Sequence, residues 1–262
     1  MAYQAISLHI DGPIARITLN RPTSANAMNI EMMKELLHVA IALDENTSIR
    51  AVAITGKGDF FCAGGDLASF AKADHDLPAF LKQATTVLHA AITRFAHMKK
   101  PVVTIINGPA AGAGFSLAIM SDYTIASESV KFSMAYTGAG LTPDGSSSYY
   151  LPRLIGEKRA RELMMTNRTL SAAEALDWGM INEVVSDNNL NQAAETVLSQ
   201  FAKGPTQAYG TIKELLLNSG TSGLETQMEH ESRAISGSAH TADGLEGINA
   251  FLNKRKPEFI GK

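Results

Sequence analysis

One cysteine, Cys62, occurs in 262 residues, so no internal disulfide can form and the chain is no disulfide-stapled miniprotein. Basic residues are not in excess. The 23 Lys plus Arg stand against 26 Asp plus Glu, a net charge of −3, and no global basic field draws the chain to nucleic acid or an anionic membrane. No window reaches the run of about 18 apolar residues that a membrane span requires. Met1 to Ile10 has neither a basic stretch followed by an apolar one nor an Arg-rich transit pattern. The last residues, Phe259 to Lys262, are not a peroxisomal address of the Ser-Lys-Leu kind. Together these absences lead us to expect a reducing, aqueous compartment, the cytoplasm by default. There is also no internal repeat, charge block or long Pro/Ser linker, and His9, His38, His75, His97, His230 and His240 show no metal-ligand spacing.

What is present is ordinary globular composition, 45% apolar and 19% charged, in a chain long enough for one large domain with or without a smaller appendage. Ala5 to Ile10 and Ile14 to Leu19 alternate apolar with polar around Asp11-Gly12-Pro13, which predicts a hairpin. Asn29 is placed to cap a helix running to about Leu43, with Ile30, Met33, Leu37, Ala40 and Ile41 on one face. Ala51 to Thr55 and Val102 to Ile106 read as buried strands flanking a helix over about Leu77 to His97, an order that implies parallel pairing in an α/β domain. From Glu157 onward the pattern is almost wholly helical: Glu157 to Met165, a capped turn at Ser171-Ala172-Ala173-Glu174, then Leu190 to Ala202, Thr206 to Asn218, Leu224 to Ile235 and Ala242 to Asn253. A short Asn182 to Val185 run is the one strand expected there. The expected division is an α/β core over 1–200 and a helical region over 201–262 that serves as a cap or as a surface for subunit assembly. Met32, Met33, Met164 and Met165 at helical spacing read as core filler.

Two loops could carry chemistry. In Phe61-Cys62-Ala63-Gly64-Gly65-Asp66-Leu67, adjacent glycines allow positive φ and let main-chain N–H groups meet a ligand; taken alone, the pattern also fits a tight turn. In Asn107-Gly108-Pro109-Ala110-Ala111-Gly112-Ala113-Gly114-Phe115-Ser116-Leu117 a strand runs through small residues into a helix, whose N-terminus offers donors to a developing oxyanion. A dinucleotide-binding loop fails on spacing, because no third glycine follows three residues after Gly112-Ala113-Gly114.

The two loops together resemble the enoyl-CoA hydratase/isomerase, or crotonase, superfamily. Further matches run along roughly 250 residues: Asn20-Arg21-Pro22 before Asn26-Ala27-Met28, Lys100-Pro101-Val102, Ser121-Asp122, Leu151-Pro152-Arg153, Leu170-Ser171-Ala172, Ala175-Leu176-Asp177-Trp178-Gly179, and Asp243-Gly244 with Glu246-Gly247 near Lys254-Arg255. The resemblance implies a ClpP/crotonase-like spiral of ββα units with a C-terminal helical region that packs homotrimers or dimers of trimers. It implies a CoA thioester as substrate, with no cofactor and no metal. The thioester oxygen would sit on the backbone N–H groups of Gly65 and Ala113, in a pocket to which Ala63, Gly64, Asp66, Leu67 and Tyr136 contribute. Asp66 could equally cap the loop. Arg21 is available for CoA phosphates, although Ala25 stands where some relatives have a basic residue.

The family's chemistry varies with its acids and bases. The two hydratase glutamates correspond here to Ser116 and Tyr136, neither of which is a carboxylate, so simple hydration is disfavoured. The carboxylate that remains is Asp144, in Leu141-Thr142-Pro143-Asp144-Gly145, where the family's double-bond and ring-epoxide isomerases carry a single acid; it is also a natural turn residue after Pro143. One carboxylate can move one proton. The expected activity is therefore acyl-CoA isomerisation. Asp144 with His89 also resembles the 4-chlorobenzoyl-CoA dehalogenases, in which an Asp attacks the ring and a His activates water, so aryl-CoA dehalogenation or acyl-CoA hydrolysis stays as an alternative. A hydratase, or a non-catalytic acyl-CoA binder, is the remaining one. Cys62 carries no mark of a nucleophile and reads as a small buried hydrophobe.

Overall fold

The computed structural model describes residues 3–262. It opens with an antiparallel hairpin of β1 (Ile6–Asp11) and β2 (Ile14–Leu19), registered with Ile6 opposite Leu19. Asn29 then caps α1 (Ile30–Glu45) by accepting the Met32 N–H at 3.0 Å, as its position predicts. After β3 (Ala51–Gly56) come a short α2 (Leu67–Ala73), α3 (Leu77–His97) and β4 (Val102–Ile106). The strand, helix, strand order yields the parallel β3–β4 pair it implies.

The chain next winds as a spiral of ββα units, each turn giving one strand to each of two sheets. One turn holds β4, β5 (Ala110–Ala111) and α4 (Ala113–Ile119); the next holds β6 (Tyr123–Ser127), β7 (Lys131–Ser133), α5 (Ser147–Ile155) and α6 (Glu157–Thr166). Then β8 (Leu170–Ser171), α7 (Ala172–Asp177) and β9 (Glu183–Val185) finish the sheets. The large sheet has the order β1-β2-β3-β4-β6-β9 and is parallel beyond the hairpin; the small one is β5-β7-β8. Four helices close the chain: α8 (Leu190–Ala202), α9 (Thr206–Ser219), α10 (Leu224–Ala239) and α11 (Ala242–Leu252).

The centre of the large sheet is buried on both faces, which is why β3 and β4 are nearly continuous apolar runs. Along β3, Val52 and Ile54 join the main core with Leu36, Phe95 and Phe115, while Ala51 and Ala53 face the other way onto Leu190, Ala194 and Leu198 of α8. Two apolar assignments fail. The buried stripe of α1 runs through Met32, Met33, Leu36, Val39, Ala40 and Leu43, and Ile41 is exposed, because α1 lies along α3 and turns that stripe inward. Met165, expected in the core, is on the solvent side of the last turn of α6, and only Met164 packs inward. Among the described residues no helix is long and apolar enough to cross a membrane.

Several buried polar groups act as fasteners. Lys100 is buried, and its ammonium donates to the carbonyls of Leu43 (2.8 Å) and Asp44 at the C-terminus of α1, satisfying acceptors that the helix itself leaves free. Replacing it by methionine keeps the apolar stem and removes the donor. Lys100→Met is expected to lower stability by about 1.5–3 kcal/mol in urea denaturation, since hydrogen bonds to charged groups are worth that much; an unchanged midpoint would contradict the assignment.

Candidate active site

The two glycine-rich loops are stitched to each other by main chain. Cys62 and Ala110 form a parallel bridge, with Cys62 N–H donating to Pro109 O (3.3 Å) and Ala111 N–H donating to Cys62 O (2.9 Å). The next residues bridge to the other side: Met28 N–H donates to Gly64 O (2.7 Å) and Asp66 N–H to Met28 O (3.1 Å). In a parallel bridge the residue between those two bonds points its own N–H and C=O away from the partner strand. The Gly65 amide is therefore turned away from Met28. Ala113 opens α4 after Gly112 (φ +52°), and a first-turn N–H has no acceptor inside its own helix.

Close approach demands the glycines. A Cβ on Gly114 would stand 2.2 Å from the Cys62 carbonyl oxygen, and one on Gly64 would stand 2.9 Å from the Ala111 oxygen, where φ is +101° besides. Two side-chain amides, a buried one on Asn26 and a half-buried one on Asn107, brace the arrangement. Asn26 accepts the Arg21 N–H and donates to the Lys57 and Phe60 carbonyls, and Asn107 accepts the Gly56 N–H and donates to Gly58 O.

Gly65 and Ala113 both line a cavity of about 310 Å³, together with Ala63, Leu67, Tyr136 and Asp144. The rest of the wall is mainly apolar and includes Leu141 and also Phe70 and Leu88, two residues that no sequence motif marks. Gly64 and Asp66, expected among the pocket residues, stand behind this wall. The Gly64 carbonyl is used by Met28, and Asp66 turns to the Arg21 guanidinium (2.8 Å) and to the Ala68 and Ser69 N–H groups at the start of α2. Burial alone would raise the Asp66 carboxyl, but the Arg21 and Ser69 hydrogen bonds outweigh it and hold it below the usual carboxylate value. Of the two roles open to Asp66, loop capping is the one seen, and Arg21 is engaged with it.

Asp144 is a quarter exposed and is gripped by hydroxyl groups. Tyr136 donates to its Oδ1 at 2.6 Å, and the Ser116 hydroxyl lies 3.0 Å from the Tyr136 oxygen and 2.9 Å from the Asp144 backbone carbonyl. Burial first, and then the charge of Asp144, push the Tyr136 phenol well above its ordinary value, so it remains a donor at any working pH. The Ser116 and Tyr136 hydroxyls thus form a linked pair, one on the backbone carbonyl of Asp144 and the other on its carboxylate.

His89 reaches the same loop from α3. Its Nε2 accepts the Gly145 N–H at 3.1 Å, which leaves the ring proton on Nδ1, and Nε2 lies 3.7 Å from Asp144 Oδ2 with no proton between them. The lone pair a water-activating base would need is already in use. Burial pushes the Cys62 thiol up to about 12, in keeping with its reading as a small hydrophobe.

The family model described as Enoyl-CoA hydratase/isomerase matches residues 9–262. The chain belongs to that family. It is 37% identical to 1,2-epoxyphenylacetyl-CoA isomerase of Escherichia coli (strain K12) over 97% of both chains. It is 32% identical to 4-chlorobenzoyl coenzyme A dehalogenase-2 of Arthrobacter sp over 94% of this chain and 89% of that one. An enoyl-CoA hydratase from Polaromonas sp. JS666 superposes with a TM-score of 0.93 at 34% identity, over 98% of this chain and all of that one.

Two outcomes follow from this packing. Gly114→Ala, which forces a methyl group against a main-chain oxygen, is expected to destabilise the fold by about 1–3 kcal/mol, as overpacking does, and to lower activity by separating the loops; full activity with unchanged melting would contradict the close approach. At pH 8 the folded protein should leave Cys62 unreacted with Ellman's reagent, while the chain in guanidinium should react with one equivalent.

Proposed function

We propose that the protein is an acyl-CoA isomerase that shifts a carbon–carbon double bond by moving one proton. The observation that carries this reading is the hydroxyl pair at Ser116 and Tyr136, locked onto Asp144. Asp144 is the one carboxylate among the described residues that line the cavity.

In this mechanism the thioester oxygen of a 3-enoyl-CoA accepts hydrogen bonds from the Gly65 and Ala113 N–H groups. The Asp144 carboxylate takes a proton from C2, and the C–H electron pair moves into the conjugated system, placing negative charge on the thioester oxygen. Each donor aimed at that oxygen is worth about 2.7–4 kcal/mol in the transition state. The protonated acid then returns its proton at C4, which leaves the double bond between C2 and C3, and Asp144 is a carboxylate again. Tyr136 keeps the carboxylate aimed during both transfers. Activation of a water for hydration would need a second acid or base beside Asp144. The Tyr136 phenol there, pushed above its ordinary value by burial and by Asp144, is a poor one, and Lys82, which also lines the cavity, makes no hydrogen bond to Asp144. The dehalogenase named among the relatives favours a covalent alternative through Asp144 and His89, but the Gly145 N–H on Nε2 weighs against it.

Self-association completes the reading. The closing helices expose apolar residues such as Ile235 on α10 and Leu245, Ile248 and Phe251 on α11, a stripe suited to a homotrimer or a dimer of trimers. Light scattering should return three or six times 28.0 kDa; a species of one chain's mass would refute the assembly.

With 3-hexenoyl-CoA in deuterated water, the wild type should form 2-hexenoyl-CoA. Asp144→Asn should lower kcat by about 10²–10⁴-fold, the usual weight of a general acid–base group. Tyr136→Phe should lower kcat by about ten- to a hundred-fold, the factor a hydrogen bond to a charged group is worth. His89→Gln, which still offers an acceptor to Gly145, should stay within a few-fold. Loss of turnover in His89→Gln together with chloride release from 4-chlorobenzoyl-CoA by the wild type would replace isomerisation with dehalogenation.

A further inference from the structure

Which acyl groups the cavity admits depends on an aromatic side chain outside every motif. A Cβ built on Gly65 would lie 2.6 Å from the Cζ of Phe70 and 3.1 Å from its Cε2, so the tip of the Phe70 ring rests against Gly65, and both residues line the cavity. The ring is carried by α2, which buries none of its own residues. That helix is held at its start by the Asp66 cap and the Arg21 pair, and farther along by the edge-to-face contact of Phe70 with Phe80, centroids 6.0 Å apart at 66°. Phe80 belongs to α3 and packs against the main core, so it braces the Phe70 ring while the tip points at Gly65.

We propose that Phe70 is a specificity-determining residue that gauges the width of the acyl group at the carbons next to the thioester. The proposal rests on the reading of Gly65 N–H as a donor to the thioester oxygen. An oxygen held there brings the carbonyl carbon and its first neighbours into the space beside Gly65, where the ring tip sits. An unbranched chain passes along an apolar wall of this kind. A ring or branch on those carbons overlaps it, and a packed aromatic braced from behind yields less readily than a free side chain. The substrate class is thus an apolar acyl-CoA that is narrow beside its carbonyl and free to widen farther along.

Binding of saturated acyl-CoAs tests this without any proton transfer. Calorimetric Kd values are measured for hexanoyl-CoA and cyclohexylacetyl-CoA with the wild type, Phe70→Leu and Phe70→Ala. Phe70→Ala should tighten cyclohexylacetyl-CoA at least ten-fold while moving hexanoyl-CoA less than three-fold, with Phe70→Leu between. Phe70→Leu keeps an apolar contact with Phe80, so it guards against a loss of α2 in the smaller variant. An unchanged ratio of the two Kd values across all three proteins, in an enzyme that still isomerises 3-hexenoyl-CoA, overturns the gauge alone. A shifted ratio in a protein that moves no double bond supports the gauge and overturns only the isomerase reading.

Discussion

Two stretches of main chain touch at the heart of this molecule with no side chain between them, and the candidate site exists only because they do. The segment around Cys62 and the start of α4 approach until a single methyl group at Gly114 would meet a carbonyl oxygen at 2.2 Å. Backbone hydrogen bonds then fix their relative slide, Cys62 against Ala110 on one side and Gly65 against Met28 on the other. Alternation along a bridged strand does the rest: once Gly64 and Asp66 bond to Met28, the amide between them has to look elsewhere. Gly65 lines the cavity, and so does Ala113 in the first turn of α4. In the proposed mechanism these two bridged stretches hold two donors on one oxygen with no reorganisation when charge develops.

The motifs that run along the chain divide sharply by what they do. Lys100 closes the C-terminus of α1, Asp122 accepts the Val102 N–H and pairs with Lys213 of α9, and Asp243 accepts the N–H groups of Ile260 and Gly261. Glu246, held at about 2 by hydrogen bonds from Arg255 and the Glu258 N–H, pins the same tail. These residues tie helices and the C-terminal tail into the frame, and none of them lines the cavity. The chemistry we propose is confined to a few positions inside that frame, where Tyr136 donates to the Asp144 carboxylate and the Ser116 hydroxyl to its backbone carbonyl.

Much of this was legible in the sequence wherever a local physical rule governs. Helix α3 occupies Leu77–His97, the span its apolar periodicity marks, and Asn29 and Ser171 cap as their side chains allow, the latter in a full capping box with Glu174. Elements hidden by tertiary satisfaction were not legible. Strand β6 carries Thr124, whose hydroxyl is buried against Thr104, Ser121 and the Ala118 carbonyl, so its polar residues read as loop. Helix α5 contains Pro152, which reads as a breaker. At the site, Asp144, Tyr136 and Ser116 could be named singly, but the hydrogen bonds that join them span up to 28 residues, and the rest of Phe70's role depends on a contact with Gly65 that no spacing encodes.

A crystal structure with hexanoyl-CoA bound measures the central geometry most directly. The account predicts the thioester oxygen at about 2.7–3.1 Å from both the Gly65 and the Ala113 nitrogen, with the Asp144 carboxylate beside the second acyl carbon. An oxygen bonded to only one of those amides or to neither, or an acyl chain running away from Asp144, would contradict it.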